Sequence, residues 1–212
     1  RLILIQGVGS LGTTLAPIFG AHFILSKISE TNTSSAILVS PYMIIASGLL
    51  LIGILIFSIK LPQVKKEEEV QSSEPVGVFN LLAKFPVLKF GTLALFMYVG
   101  AEVAIGTYLT NYIADRMSIT ESSANIYLTY YWGGMLVGRF IGSFFLNKFQ
   151  SSKILLIVSI LAAALILLSL ITTGSLSVWF MVLVGLCNSI MFAIIFSLSV
   201  NGLGSSTGKA SG

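Results

Sequence analysis

Six long apolar runs set what this chain can become. Leu2–Leu25, Ile37–Ile59, Leu88–Ile113, Ser123–Leu146, Ile154–Ile171 and Ser177–Val200 each suffice for the roughly 20 residues that cross a hydrocarbon core about 30 Å thick. Barrel strands are about 10 residues long and alternate strictly, and these runs do neither. The sequence therefore predicts an all-α integral membrane protein with six transmembrane helices. Composition agrees. Of 212 residues, 55% are hydrophobic and 9% charged, and mean hydropathy is +0.96. A soluble domain carries about 25% charged residues, and one this small has too much surface to hide so much apolar material.

The net charge of +4 does not point to nucleic acid. Basic residues are scattered singly, without a stripe or a recognition motif. They read instead as an orientation signal. With Arg1 on the cytoplasmic side, the loops Lys60–Val87 and Asn147–Lys153 and the tail are inside; Ser26–Ala36, Ala114–Ser122 and Thr172–Leu176 are outside. Arg1, Lys60, Lys65, Lys66, Lys84, Lys89, Arg139, Lys148, Lys153 and Lys209 then fall inside or near it, and only Lys27 and Arg116 outside.

The Lys60–Val87 loop stands apart. Lys65-Lys66-Glu67-Glu68-Glu69 and Ser72-Ser73-Glu74-Pro75 are a solvated linker composition, with a short surface helix expected over Val78–Phe85. The loop divides the chain into residues 1–59, the linker 60–87, and residues 88–212. The chain begins with Arg1 and ends in polar residues, so both ends are expected to be cuts through a longer protein.

Ile154–Ile171 is almost wholly Leu, Ile and Ala, and Ile37–Ile59 is similar. Plain helices can face lipid, whereas helices carrying polar and small residues face other helices or a cavity. Gly7-Val8-Gly9-Ser10-Leu11-Gly12 fits a dinucleotide fingerprint in letters, but no soluble strand–turn–helix unit surrounds it; close helix packing is the reading adopted. Gly134, Gly138 and Gly142 repeat at four-residue spacing, which lets a neighbouring backbone approach. Arg139, among them, reads as snorkelling to the inner interface or tying down a loop. Cys187 lies in an apolar run and has no second cysteine to pair with, and no metal-ligand cluster is evident.

Glu102 is the most informative residue. An ionisable group near the middle of a span marks a pathway, a proton relay or an ion pair, unless it makes a structural hydrogen bond. Tyr98 and Gly106 share its helix face. Gln6 and Asn188 are amides at membrane depth, offering the paired donor and acceptor that sugar hydroxyls need or, equally, inter-helix bonds. Tyr127, Tyr130, Tyr131 and Trp132 form an aromatic cluster suited to sugar stacking or to an interface belt; Trp132 lies well inside its span, which weakens the belt reading there. Pro17 should kink the first helix, and His22 reads as an interface residue.

Arg1–Gln6 together with Ser10–Pro17 and Gly20 resembles the fifth helix of the fucose permease and glucose/galactose transporter family of the major facilitator superfamily. Tyr98–Val103 resembles its seventh helix, and Tyr131–Gly134 with Gly138–Gly142 its eighth. The resemblance implies a twelve-helix fold of which this chain carries helices five to ten. Residues 1–59 would then end the N-terminal half, 60–87 connect the halves, and 88–212 open the C-terminal half. It further implies a monomeric, multi-pass protein of the bacterial inner membrane, binding no nucleic acid. Such a protein would move a monosaccharide by proton symport, with the proton gradient as its only cofactor and no enzyme activity. Substrate contacts would come from Gln6, Tyr98, Glu102, Tyr131, Trp132 and Asn188, with Glu102 also the proton-coupling candidate. Gly9 stands where the family usually has Asn, so of the sugar-binding fifth-helix amides only Gln6 carries over. A membrane enzyme is the reading from another class, and it lacks H-E-x-x-H, G-x-S-x-G or a Ser/His/Asp set. A six-helix scaffold without transport is the third.

Overall fold

A computed structural model describes residues 2–23, 36–59 and 78–211. Most of the Ser26–Ala36 and Lys60–Val87 loops therefore lies outside the described residues. The six expected spans are all helices: α1 (Leu2–Phe23), α2 (Ala36–Ser58), α4 (Pro86–Met117), α5 (Glu121–Leu146), α6 (Ser151–Ile171) and α7 (Gly174–Ser199). The short α3 (Val78–Lys84) lies where the surface helix is expected, and a 3-10 turn leads to α8 (Thr207–Ser211). By length and composition α2, α4, α6 and α7 are able to cross a membrane. α1 and α5, at 22 and 26 residues, are long enough at 1.5 Å per residue, and they carry the glycines and polar groups.

Helix boundaries follow local chemistry. Pro86 sits in the first turn of α4, where its missing N–H is no loss. α4 ends at Ser118, a non-glycine residue in the left-handed region (φ 53°), whose N–H caps the Ala114 carbonyl. Thr120 then caps α5 by accepting from the Ser123 N–H, with Glu121 in the first turn beside the positive helix end. These two caps confine the α4–α5 connection to three residues, Ser118, Ile119 and Thr120.

The chain divides into two compact units, one of residues Arg1–Ile18 with Glu74–Gly212 and one of Phe19–Ser73. The second holds α2, whose described side chains are exposed apart from Pro41. In the first, α7 is the hub: it packs on α4, α5 and α6, and its Val178, Val182, Val184, Cys187 and Ile194 are buried. α6 packs on α7 and scarcely touches α5, burying only Ile154, Ala162 and Ser169. It is the peripheral helix its plain composition predicts.

The glycine stripe of α5 is what lets α7 in. An added Cβ would meet Leu186 N at 3.6 Å from Gly134, Leu186 O at 2.8 Å from Gly138, and the Ile190 side chain from Gly142. From the other helix, a Cβ on Gly185 would strike the Tyr131 carbonyl oxygen. The glycines of α1 behave differently. Gly7 faces Phe140, at 3.7 Å from a built Cβ, but Gly9 and Gly12 meet nothing within 4 Å. Among the described residues only Gly7 of Gly7-x-Gly9-x-x-Gly12 packs on another helix, because α1 turns Gly9 and Gly12 away from α5 while Ser10 and Thr14 face it.

At one end of this unit, hydroxyls hold the bundle together. Tyr112 Oη lies 2.8 Å from Ser169 Oγ and 2.6 Å from Ser177 Oγ, while each serine donates to the other's carbonyl at 2.8 and 2.7 Å. Three helices, α4, α6 and α7, are thereby joined around two serines with no exposed surface.

Candidate functional site

Halfway along the helices a second polar group interrupts the apolar interior. It grows from Tyr98 of α4, whose buried hydroxyl donates to the Asn188 carbonyl of α7 at 2.8 Å. The Asn188 side chain donates through Nδ2 to Tyr131 Oη of α5 at 3.1 Å. Each of these groups is buried, so each has to be partnered within the protein. The result is a chain of hydrogen bonds across three helices.

Trp132 extends the chain. Its ring meets Tyr131 edge-on at 5.3 Å between centroids, and its benzene edge occupies the gap left by Gly106, where a Cβ would lie 2.9 Å from Cζ2. The gap read from the sequence is thus filled by an indole. Trp132 stays half-buried, whereas Tyr131 has no exposed surface. In this conformation Tyr131 supports Asn188 and Trp132 and presents no surface of its own.

Glu102 lies one turn beyond Tyr98 on the same face, half-buried, beside the Tyr98 hydroxyl and within electrostatic reach of Arg139. It faces protein. Gln6 of α1 is also half-buried. Its side-chain Oε1 is sealed from solvent and, among the described residues, has no hydrogen-bond partner.

What connects Gln6 to the rest is Arg139, a residue assigned another role from sequence. Snorkelling and loop-tying are both corrected. The guanidinium donates through Nε to the Ser189 carbonyl at 3.1 Å and through Nη1 to the Gln6 carbonyl at 2.8 Å, and it also bonds Ser10 Oγ. Ser10 in turn donates to the same Gln6 oxygen at 2.7 Å. A planar fork of donors can serve two helices at once, and here it fastens α1 and α7 to α5. Neutral amide and hydroxyl oxygens receive the charge, which is how a cation stays inside an apolar bundle without a bonded carboxylate. The sequence held one clue, the Gly138-Arg139 step: the missing Cβ at Gly138 opens the path to Ser189.

A second tie joins α1 to α5, from Asn125 Nδ2 to the Pro17 carbonyl at 3.0 Å. Gln6 pairs with residue 139 and Pro17 with residue 125, so the two helices run antiparallel, as alternating spans must.

The aromatic cluster divides in two. Tyr130 stacks on Trp179 of α7 at 5.8 Å, and Tyr127 meets the same ring edge-on at 5.9 Å. Tyr130 and Trp179 are exposed, unlike Tyr131. Trp179 was not singled out in the sequence, because one Trp near a span end carries no signal by itself. Among the described residues no three His, Cys, Asp or Glu side chains gather into a metal site.

The arrangement offers a carboxyl, an amide oxygen without a partner among the described residues, and an aromatic face, set among helices that Arg139 and the tyrosines tie together. Such groups can hydrogen-bond to and stack on a polar solute.

Comparison with known proteins accords with this. The chain is 37% identical over 216 residues to a glucose/galactose transporter of Brucella abortus, covering all of this chain and 52% of that protein. It is 31% identical over 229 residues to the L-fucose-proton symporter of Escherichia coli K12, covering 98% of this chain and 52% of that one. Two crystal structures of the E. coli fucose:proton symporter FucP, one in the outward conformation, match with TM-scores of 0.74 and 0.75 at 28% identity. They cover 100% of this chain and 56% of theirs. The chain thus spans about half the length of the curated relatives it matches. These relatives are transporters, not enzymes. The family model of the Major Facilitator Superfamily matches residues 1–212, and the chain, a multi-pass helical segment of the cell membrane, belongs to that superfamily.

Proposed function

We propose that the chain is the central part of a secondary transporter of the bacterial inner membrane that moves a monosaccharide by proton symport. α1 and α2 correspond to helices five and six and α4 to α7 to helices seven to ten, with residues 60–87 linking an N-terminal half that ends at 59 to a C-terminal half that begins at 88. The site would then lie at mid-depth between the halves, as in transporters built from repeats, and open alternately to each side.

The observation that carries this reading is the half-buried Glu102 set beside Tyr98 in a largely apolar bundle. An ionisable residue at that depth is by default functional. Gln6 Oε1 and Asn188 supply acceptors and donors for sugar hydroxyls, Trp132 a stacking face, and Tyr98 and Tyr131 hold Asn188 in place behind the substrate. The names of the relatives, a glucose/galactose transporter and a fucose-proton symporter, support the substrate class and the coupling ion. The full-length protein is expected to work as a monomer.

Glu102→Gln in the full-length protein tests this, since glutamine keeps the shape and removes the titration. Proton-driven sugar accumulation should be lost while sugar exchange persists. Loss of both together would make Glu102 a substrate ligand without a coupling role. If accumulation and exchange are both unchanged while Glu102→Ala lowers thermal stability, Glu102 is structural and the proposal loses its main support.

A further inference from the structure

α5 and α6 both lean on α7 but scarcely touch each other. Between them runs a cavity of about 580 Å³, separate from the polar site. Its walls are Ile141 and Phe145 of α5 and Ile157 and Leu161 of α6, and its floor is Leu186 and Ile190 of α7. Gly138 and Gly142 add no side chain to the α5 wall, so the stripe that admits α7 also widens this groove. From Lys153 to Leu161 it extends roughly 12 Å along α6. Ser189 is the one hydroxyl in the lining, and it is turned inward to the Leu186 carbonyl at 2.7 Å.

The mouth has a different character. Lys153 lines it, exposed, where α5 gives way to α6, and Phe149 stacks on Phe145 beside it at 6.2 Å. Lys148, also exposed, holds its ammonium 4.6 Å over the Phe144 ring. The connecting residues 147–153 contain no acid, and no acidic residue lines the groove. The N-terminal amides of α6 face the same end, with Gln150 making no side-chain cap. An apolar slot that ends at the exposed ammonium of Lys153, with no acidic residue in its lining, complements one kind of molecule.

We infer that this groove is a binding site for an anionic phospholipid, one acyl chain lying between α5 and α6 and its phosphate at Lys153. Basic pockets between membrane helices on the side richer in Lys and Arg bind acidic headgroups in this manner. The seat is built from both peripheral α6 and central α7, so occupancy would brace α6 against the helix that carries Asn188. The occupant is a bilayer component, distinct from any transported solute, and the inference does not depend on Glu102.

The test uses purified full-length protein with dioleoyl phosphatidylglycerol and dioleoyl phosphatidylcholine as probes, retention being read by native mass spectrometry. At about 1 kcal/mol per lysine near a charged headgroup, Lys153 should contribute about a five-fold preference for phosphatidylglycerol. Wild type should show that preference, Lys153→Gln should lose about five-fold of it, and Lys153→Arg should keep it. Leu161→Trp, which fills the groove, should reduce retention of both lipids. Lys153 is exposed, so its glutamine variant should fold normally. Equal retention of the two lipids by wild type would overturn the inference. So would an unchanged preference in Lys153→Gln together with unchanged retention in Leu161→Trp, the result expected if another part of the full-length protein covers the groove.

Discussion

Gly134, Gly138 and Gly142, the stripe of α5, look interchangeable in the sequence, and the structure predicts opposite effects for two of them. A Cβ on Gly138 would lie 2.8 Å from the Leu186 carbonyl oxygen and closer still to Ser189 Oγ; a Cβ on Gly134 finds its nearest neighbour, Leu186 N, at an ordinary 3.6 Å. The serine hydroxyl can rotate, but the helix carbonyl cannot. Gly138→Ala must therefore part α5 and α7 by about half an ångström, and a gap of that size forfeits a quarter or more of each dispersion contact along the seam. Over-packing of this kind costs about 1–3 kcal/mol, offset by at most about 1 kcal/mol from the better helix former. Net destabilisation of about 1–2 kcal/mol is expected. Gly134→Ala has only the second effect and should be neutral or slightly stabilising. Thermal unfolding of the two full-length variants in the same detergent measures the difference, at roughly 1–2 °C per kcal/mol for a protein of the relatives' length. Equal melting of the two variants, or a higher melting point for Gly138→Ala, would refute the argument that backbone contact at Leu186 sets the α5–α7 distance.

Substitutions in the two polar clusters give further tests. Tyr112→Phe removes one phenol from the Ser169–Ser177 group, but the serines keep each other's carbonyls as acceptors; the melting curve should report only about 1 kcal/mol, the net value of one hydrogen bond. Arg139→Leu removes charge-assisted bonds that anchor α1 and α7, each worth about 1.5–3 kcal/mol before the relief of desolvation. A net loss of about 2 kcal/mol is expected, with less than half restored in Arg139→Lys, because a single ammonium cannot span two helices as the fork does. A double-mutant cycle with Ser10→Ala should show coupling; strict additivity would mean the Arg139–Ser10 bond contributes nothing.

What the sequence determined by itself was the set of helices and the polar residues buried among them. A bilayer demands long apolar runs and satisfied backbone groups, so α1, α2, α4, α5, α6 and α7 are legible from hydropathy, and Glu102, Gln6 and Asn188 stand out because polar groups at that depth are rare. Which way each helix turns was not legible. Lipid-facing and buried sides are both apolar, so periodicity gives no face. Only the tertiary structure decided that Gly7, and not Gly9 or Gly12, packs on α5, that Tyr131 is buried while Tyr130 pairs with Trp179, and that the gap at Gly106 holds an indole. The same holds for Arg139. Near the end of a span, an arginine's long stem can reach either the interface or a neighbouring helix, and the choice rests on whether carbonyls come within reach. The absent Cβ at Gly138 brings the Ser189 carbonyl close, and the approach of α1 adds Gln6 and Ser10. That proximity is made by the packing of helices far apart in sequence, and so it belongs to the fold.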